Sequence, residues 1–306
     1  MTMINNSTRA FYERASLSIG DLRKRAEVLQ TQLGSGEKLA KSSDNPVVAS
    51  RLRSLARSDS LAQIDLTNAN RAAADLNLTD QALSSFSDYI IRAKVIATQA
   101  GNGTLTPSQR SGLGIELQQM VGNLVALGNS RDSAGHSLFG GQTAGKPYSL
   151  DGSGNVVYNG VGDAGEVELG EGQTVKRGLT GPEFLEFSVN GNPTNLMAVV
   201  KGLADALQGG VADPAQAARD SIGALDAALD EVTTNQTIVG SRLAWIDMTI
   251  AQRENLGELR AEEEIEIGKT DIATTMAELS QMLVVLEASQ ASFTKLSGMS
   301  LFDMIR

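Results

Sequence analysis

The chain is 306 residues long, with no cysteine, one histidine (His136), 4% aromatic residues and a formal net charge of −10. That length supports a sizeable core and about two domains. The absence of cysteine removes disulfide scaffolds, thiolate zinc sites and cysteine nucleophiles; one histidine leaves multi-histidine metal sites impossible and triad chemistry poorly supplied; an acidic, aromatic-poor chain is a poor binder of nucleic acid.

The flanks of the chain read as helix. Phe11, Ala15, Leu22, Ala26, Leu29 and Leu33 form one apolar stripe that runs into Gly34-Ser35-Gly36, a stop. A second helix opens at Asn45-Pro46. Asparagine suits the cap, and proline suits the first helical position because its missing N–H costs nothing there. Leu52, Leu55, Ala62, Leu66, Ala69, Ala73, Leu76, Leu83, Phe86 and Ile90 carry this helix to about Gln99. Thr106-Pro107 repeats the signal and predicts a third helix to about Asn129.

The next segment is different. Three of the six prolines fall between 147 and 193, and fourteen of the 31 glycines fall between Gly135 and Gly191. Such punctuation breaks helices. Val156-Val157-Tyr158 predicts a strand followed by an Asn159-Gly160 turn, and Glu166-Val167-Glu168-Leu169 alternates as a half-buried strand does. Glu183 to Val189 predicts another strand, ended by Asn190-Gly191. A small β-domain, 140–194, is therefore expected as an insertion between helical halves.

Helix resumes at Asp213-Pro214. Leu225, Leu229, Val232, Gln236, Val239, Leu243, Ile246 and Ile250 alternate steps of 4 and 3, a coiled-coil seam. Ile265, Ile272, Leu279, Leu286 and Phe293 then recur every seven residues, with Met276 and Leu283 at the second seam position and Gln290 a poorer continuation. The fold class expected is mainly α with a small β insertion, built on long antiparallel helices from both chain ends.

No apolar core follows a basic start, so no secretory signal peptide is expected. No run approaches the ~18 apolar residues of a membrane span. Residues 1–60 carry ten Lys/Arg and six Asp/Glu, and the remainder carries sixteen and thirty. A basic head and an acidic remainder can pair, within or between copies, although ordinary solvated helix faces account for the same numbers.

Several motifs reduce to ordinary structure. Gly160-Val161-Gly162-Asp163-Ala164-Gly165 fits GxGxxG, but a strand pattern follows where a pyrophosphate site needs a helix, so a glycine-rich hairpin is expected and no cofactor. Glu262, Glu263, Glu264 and Glu266 lie on a predicted helix, where adjacent carboxylates do not converge on an ion, so a solvated face is expected and no metal. Asp151-Gly152-Ser153-Gly154-Asn155 reads as a turn, and His136, with no ionisable partner expected nearby, as structural. Trp245, beside the seam, reads as a packing residue.

Other motifs carry a family resemblance. Gln32-Leu33-Gly34-Ser35-Gly36-Glu37-Lys38-Leu39, leading to Ser43-Asp44-Asn45-Pro46, resembles the head of the flagellin-like axial proteins. The domain-break motif Asp44, Asn45, Pro46 is nearer to the Asp-Asp-Pro of the junction branch of that family than to the Asp-Asp-Ala-Ala-Gly of flagellins. Ser137-Leu138-Phe139-Gly140-Gly141-Gln142-Thr143, Val239-Gly240-Ser241-Arg242-Leu243 and the terminal Leu296-Ser297-Gly298-Met299-Ser300-Leu301-Phe302-Asp303 are similar to the family's corresponding steps. Asn45 for the second aspartate and the added Arg306 depart from the pattern.

The resemblance implies nested domains. Residues 1–44 plus 266–306 would form an inner-tube coiled coil, 45–139 plus 195–265 a helical bundle, and 140–194 an outer β-domain. It implies a structural, non-enzymatic subunit joining hook to filament, with flagellin as the first alternative. A surface ligand-binding module, stacking sugars on Tyr148 or Tyr158, is the second. The implied partners are further copies in a ring on the flagellar axis, flagellin, a hook-side junction protein and an export chaperone, with no nucleic acid and no membrane insertion. The implied location is extracellular, reached through the flagellar type III apparatus. The assembly interface is expected on Phe11, Leu22, Leu29, Leu33, Ile265, Ile272, Leu279, Leu286 and Phe293, within and between subunits.

Overall fold

A computed structural model describes the backbone of residues 2–303 and the side chains of 10–296. The Ser297–Asp303 part of the terminal motif lies outside the residues with described side chains. The chain divides into two compact units, one of 1–61 with 255–306 and one of 62–254.

Helix α1 (Thr2–Ser35) ends at Gly36, whose φ of +72° suits a residue without a Cβ and whose N–H caps Gln32 O at 2.8 Å. Helix α2 (Pro46–Gly101) begins at the expected asparagine cap, with Asn45 Oδ1 accepting from Val48 N at 3.2 Å. Helix α3 (Pro107–Gly128) opens with a capping box of Thr106 and Gln109. Helix α6 (Pro214–Gly268) opens on Asp213, whose Oδ1 accepts from Gln216 N at 3.0 Å. Helix α7 (Ile272–Asp303) follows a break that the seven-residue run conceals: Ile265 lies on α6 and Ile272 starts α7. Asp271 caps the new helix, accepting from Ala273 N at 3.0 Å and Thr274 Oγ1 at 2.7 Å.

In the 62–254 unit, α2 is buried along Ala69, Ala72, Leu76, Thr79, Leu83, Phe86, Ile90, Ala93, Ala97 and Ala100, alternating steps of 3 and 4. On α6, Leu225, Val232, Val239 and Ile246 are buried, while Leu229, Gln236, Leu243 and Ile250 are half-buried. The two helices run antiparallel, since Lys94 pairs with Asp226, Arg219 Nη1 donates to Gly101 O at 2.7 Å, and Arg253 Nη1 donates to Asp65 Oδ2 at 2.9 Å. Helices α3 and α5 (Leu196–Asp205, then a π-helical turn at Ala206–Gly210) pack on one another in the same unit. Trp245 lies against this core as a packing residue.

The insertion folds as three separate antiparallel hairpins. These are β1–β2 (Tyr148–Leu150, Val156–Tyr158), β3–β4 (Glu166–Gly170, Gln173–Lys176) and β5–β6 (Glu186–Val189, Asn192–Asn195). Asn190 and Gly191, both at positive φ, make the expected turn of β5–β6. Three details differ from expectation. Asn159-Gly160 turns nothing: Asn159 N–H donates to Pro147 O at 2.7 Å and prolongs the β1–β2 ladder. That hairpin turns at Asp151–Asn155 instead, where Asp151 Oδ1 accepts from Ser153 N and Asn155 N at 2.8 Å. The 160–165 glycines form a loop joining two hairpins rather than a hairpin of their own, with Val161 bridging to Gly141. Residues Glu183–Leu185 are not strand but the end of a short helix, α4 (Gly181–Leu185), because Pro182 sits in its first turn and the Glu183 carboxylate accepts from Thr180 N.

Candidate assembly interface

In the terminal unit α1 and α7 lie antiparallel. The Tyr12 ring packs edge-on to Phe293 at 5.7 Å, its hydroxyl donates to Leu296 O at 3.2 Å, and Glu37 bridges to Lys269 at the other end. Among the described residues, the half-buried or buried ones of α1 are Ala10, Tyr12, Ala15, Ile19, Leu22, Ala26, Leu29, Gln32 and Leu33. Those of α7 are Thr275, Leu279, Met282, Leu286, Ser289 and Phe293. From Tyr12 to Leu29, and throughout the α7 set, the steps are threes and fours, the spacing of knobs-into-holes packing.

Six of the nine expected interface residues fall here: Leu22, Leu29, Leu33, Leu279, Leu286 and Phe293. Each is only half-buried. The other three are open to solvent, Phe11 at 47%, Ile265 at 60% and Ile272 at 59%. Tyr12, Ile19 and Met282 belong to the seam and were not singled out, although their three-and-four spacing is legible in the sequence. Met276 and Leu283, expected in the second seam position, are exposed beside Ile272. At 100° per residue, Ile272, Met276 and Leu283 lie on the flank of the stripe that faces α1. Helix α7 thus has an apolar arc wide enough for two neighbours and covers one side of it.

The domain-break motif shapes the chain beside this seam. Asp44 Oδ2 accepts from Lys41 N at 2.8 Å, Asn45 caps α2 and Pro46 is its first residue. The break between α6 and α7 lies alongside, with Lys38 N donating to Gly268 O at 2.8 Å and Thr270 N to Gly36 O at 3.0 Å. Glu263, read as a solvated face, instead accepts from Arg51 Nε at 2.6 Å and Nη2 at 2.7 Å.

The 62–254 unit holds a different polar cluster. Arg177 reaches toward Asp75 (3.9 Å) and Asp132 (3.6 Å), and His136 Nδ1 lies 3.1 Å from Asp132, so the histidine does have an ionisable partner. Burial raises the Asp75 carboxyl above its ordinary range against the pull of Arg177. Burial also pushes Asp132 upward, but hydrogen bonds from His136 and Ala134 outweigh it and hold that carboxyl low. These bonds tie the inserted segment to α2 and present no nucleophile. Tyr148 is buried with its ring 5.1 Å from that of Tyr158, whose hydroxyl donates to Phe139 O at 3.0 Å. Tyr148 therefore offers no open face for stacking a sugar, and Tyr158 is half-buried beside it. Among the described residues no helix is long and apolar enough to cross a membrane.

Comparison with known proteins places this geometry. The family model for the bacterial flagellin N-terminal helical region matches residues 6–144. The chain is similar to flagellar hook-associated protein 3 of Escherichia coli K12, at 23% identity over 97% of this chain and 98% of that one. It is also similar to flagellar hook-associated protein 3 of Salmonella typhimurium, at 25% over 98% and 99%. A solved flagellar hook-associated protein of Vibrio parahaemolyticus shares the fold with a TM-score of 0.68 at 23% identity, covering 74% of this chain and all of that one. These relatives are structural proteins of the flagellum, not enzymes.

Proposed function

We propose that this chain, similar along nearly its whole length to flagellar hook-associated proteins, is the structural junction subunit between hook and filament. Copies stand in a ring on the flagellar axis, with the hook-side junction protein below and flagellin above. The chain reaches that extracellular place through the flagellar type III apparatus, held by an export chaperone beforehand. Residues 1–44 with 266–306 line the inner tube, 45–139 with 195–265 form the surrounding bundle, and 140–194 face outward.

The observation that carries the reading is the unfinished seam of α7. Full burial of a large apolar side chain is worth roughly 1.5–3 kcal/mol, and Ile272, Met276 and Leu283 realise little of it in one chain. Helices of neighbouring subunits complete that burial, so folding of the ends is coupled to assembly. Similarity along nearly the full length to proteins named hook-associated protein 3 favours the junction over the filament itself.

The test is deletion of the gene followed by microscopy. Hooks without filaments, with flagellin shed into the medium, are expected, and the unsubstituted chain restores filaments while Leu279→Asp or Leu286→Asp does not. Normal filaments on cells carrying either substitution refute the reading. Long filaments grown from the purified protein on filament seeds would make it a flagellin.

A further inference from the structure

Among the described residues, two exposed helix faces of the terminal unit carry opposite charges. On α2, Arg53 and Arg57 are exposed on the side away from buried Leu55, flanked by Val47 (78% exposed) and Leu61 (53%). On α6, Glu258, Glu262 and Glu266 are exposed at four-residue spacing, with Leu259 (61%) and Ile265 among them. The inner faces of the same helices have already paired their charges, Arg51 with Glu263 and Arg260 with Asp59, both at 2.6 Å. Among the described residues, Arg53, Arg57, Glu258, Glu262 and Glu266 have no ion-pair partner.

Like charges four apart on a helix repel one another and destabilise it. The free chain bears that cost on both ridges, and exposes large apolar side chains beside them. Each ridge repeats about every 6 Å, since four residues rise that far along a helix. Arg53 and Arg57 therefore match Glu258 and Glu262 in spacing, or Glu262 and Glu266 one turn along. No other chemistry is needed to fit these faces than a second copy of this chain.

We infer that the outer faces of α2 (46–61) and α6 (255–268) are the two halves of one lateral interface between copies, with Arg53 and Arg57 of one copy against Glu258, Glu262 and Glu266 of the next. The inference rests on the ring reading above and names the surface that forms the ring. Because the two faces are different patches, the contact is head-to-tail, and a repeated head-to-tail contact closes into a ring when its rotation permits. Val47, Leu61, Leu259 and Ile265 supply buried area. The charges set orientation and make association salt-dependent, as rim charges do.

Charge exchange in cells lacking the native gene tests it. Arg53→Glu with Arg57→Glu, or Glu258→Lys with Glu262→Lys, is expected to lower the number of filaments at least tenfold. All four together restore it, because every copy then carries both exchanged faces. Helix content and melting of each purified variant should match the unsubstituted chain, since all four side chains are exposed. A second arm uses the absence of native cysteine. Arg57→Cys with Glu262→Cys on one chain puts the thiols on opposite sides of the helix pair, beyond the ~7 Å Cα separation a disulfide tolerates. Oxidation of assembled flagella is then expected to give a ladder of multimers rather than an internal bond. A four-fold variant no better than the double variants, or no ladder from flagella that the cysteine chain has built, overturns the interface and leaves the junction reading standing. Filaments unaffected by deleting the gene would overturn that reading instead.

Discussion

At the scale of single residues, Gly170 is held both by its backbone conformation and by a close approach. Its φ is +94°, and a Cβ there would lie 2.1 Å from Asp65 Oδ2 and 2.3 Å from Arg253 Nη2. The strand end passes directly over the Asp65–Arg253 pair, which is largely sheltered from water. Alanine at 170 adds backbone strain of order 1–3 kcal/mol and drives apart a pair whose charges then need other partners. Gly172, at φ +77°, faces open space and separates the two costs. Gly170→Ala is expected to destabilise the 62–254 unit by about 2–4 kcal/mol and Gly172→Ala by about 1. Thermal unfolding of the two purified variants checks this, and equal shifts in midpoint would mean that the close approach at 170 carries no weight.

At the scale of elements, two polar residues of α6 that stand next to its seam hold the insertion. Asn235 is buried between Val232 and Val239, and its Nδ2 donates to Glu183 O at 3.0 Å. One turn pair later Arg242 Nη1 donates to Gly178 O at 3.0 Å. Asn235→Leu would extend the apolar seam but leave the Glu183 carbonyl without its donor, a cost of ~1–3 kcal/mol set against the apolar gain. The expected result is an overall melting point moved by little, with amide exchange across Gly181–Val189 accelerated about tenfold, the equivalent of ~1.4 kcal/mol of local opening. Unchanged protection in that stretch would show that the short helix is held by other contacts. The same element shows what was legible beforehand. The cap-and-proline starts of α2, α3 and α6 were readable because capping is local chemistry. The roles of Asn235 and Arg242 beside the seam were not, because these side chains answer carbonyls 52 and 64 residues away. The α6–α7 break was hidden for another reason. Ile265 and Ile272 keep their seven-residue spacing across it, although Gly268 followed by Asp271 is itself a stop and a cap. Helix α4 escapes the sequence reading because Glu183–Leu185 reads as the first part of a strand over Glu183–Val189, whereas Pro182 and Glu183 make a first helical turn.

At the scale of the whole molecule, stability is unevenly divided. The contiguous core runs from Ala69 to Ile246 and lies entirely within the 62–254 unit. In the other unit the buried apolar residues, among those described, are Ala26, Ala49 and Leu55. Two alanines and a leucine are a small core for a unit of that length, whereas the three aromatic rings of Phe86, Phe139 and Phe184 lie within 4.8–6.1 Å of one another in the first. A fragment of residues 62–254 is therefore expected to fold alone, with one cooperative thermal transition within a few degrees of the main transition of the full chain. Leu279→Asp in the full chain should leave that transition in place, because its side chain belongs to the seam of the other unit. The same substitution is expected to stop assembly, so stability and function part company at one residue. Circular dichroism on the fragment, the full chain and the variant measures this. A fragment without a cooperative transition, or a main transition that falls in the Leu279→Asp chain, would mean that the terminal helices stabilise the core directly. Assembly would then not be the step at which they complete their folding.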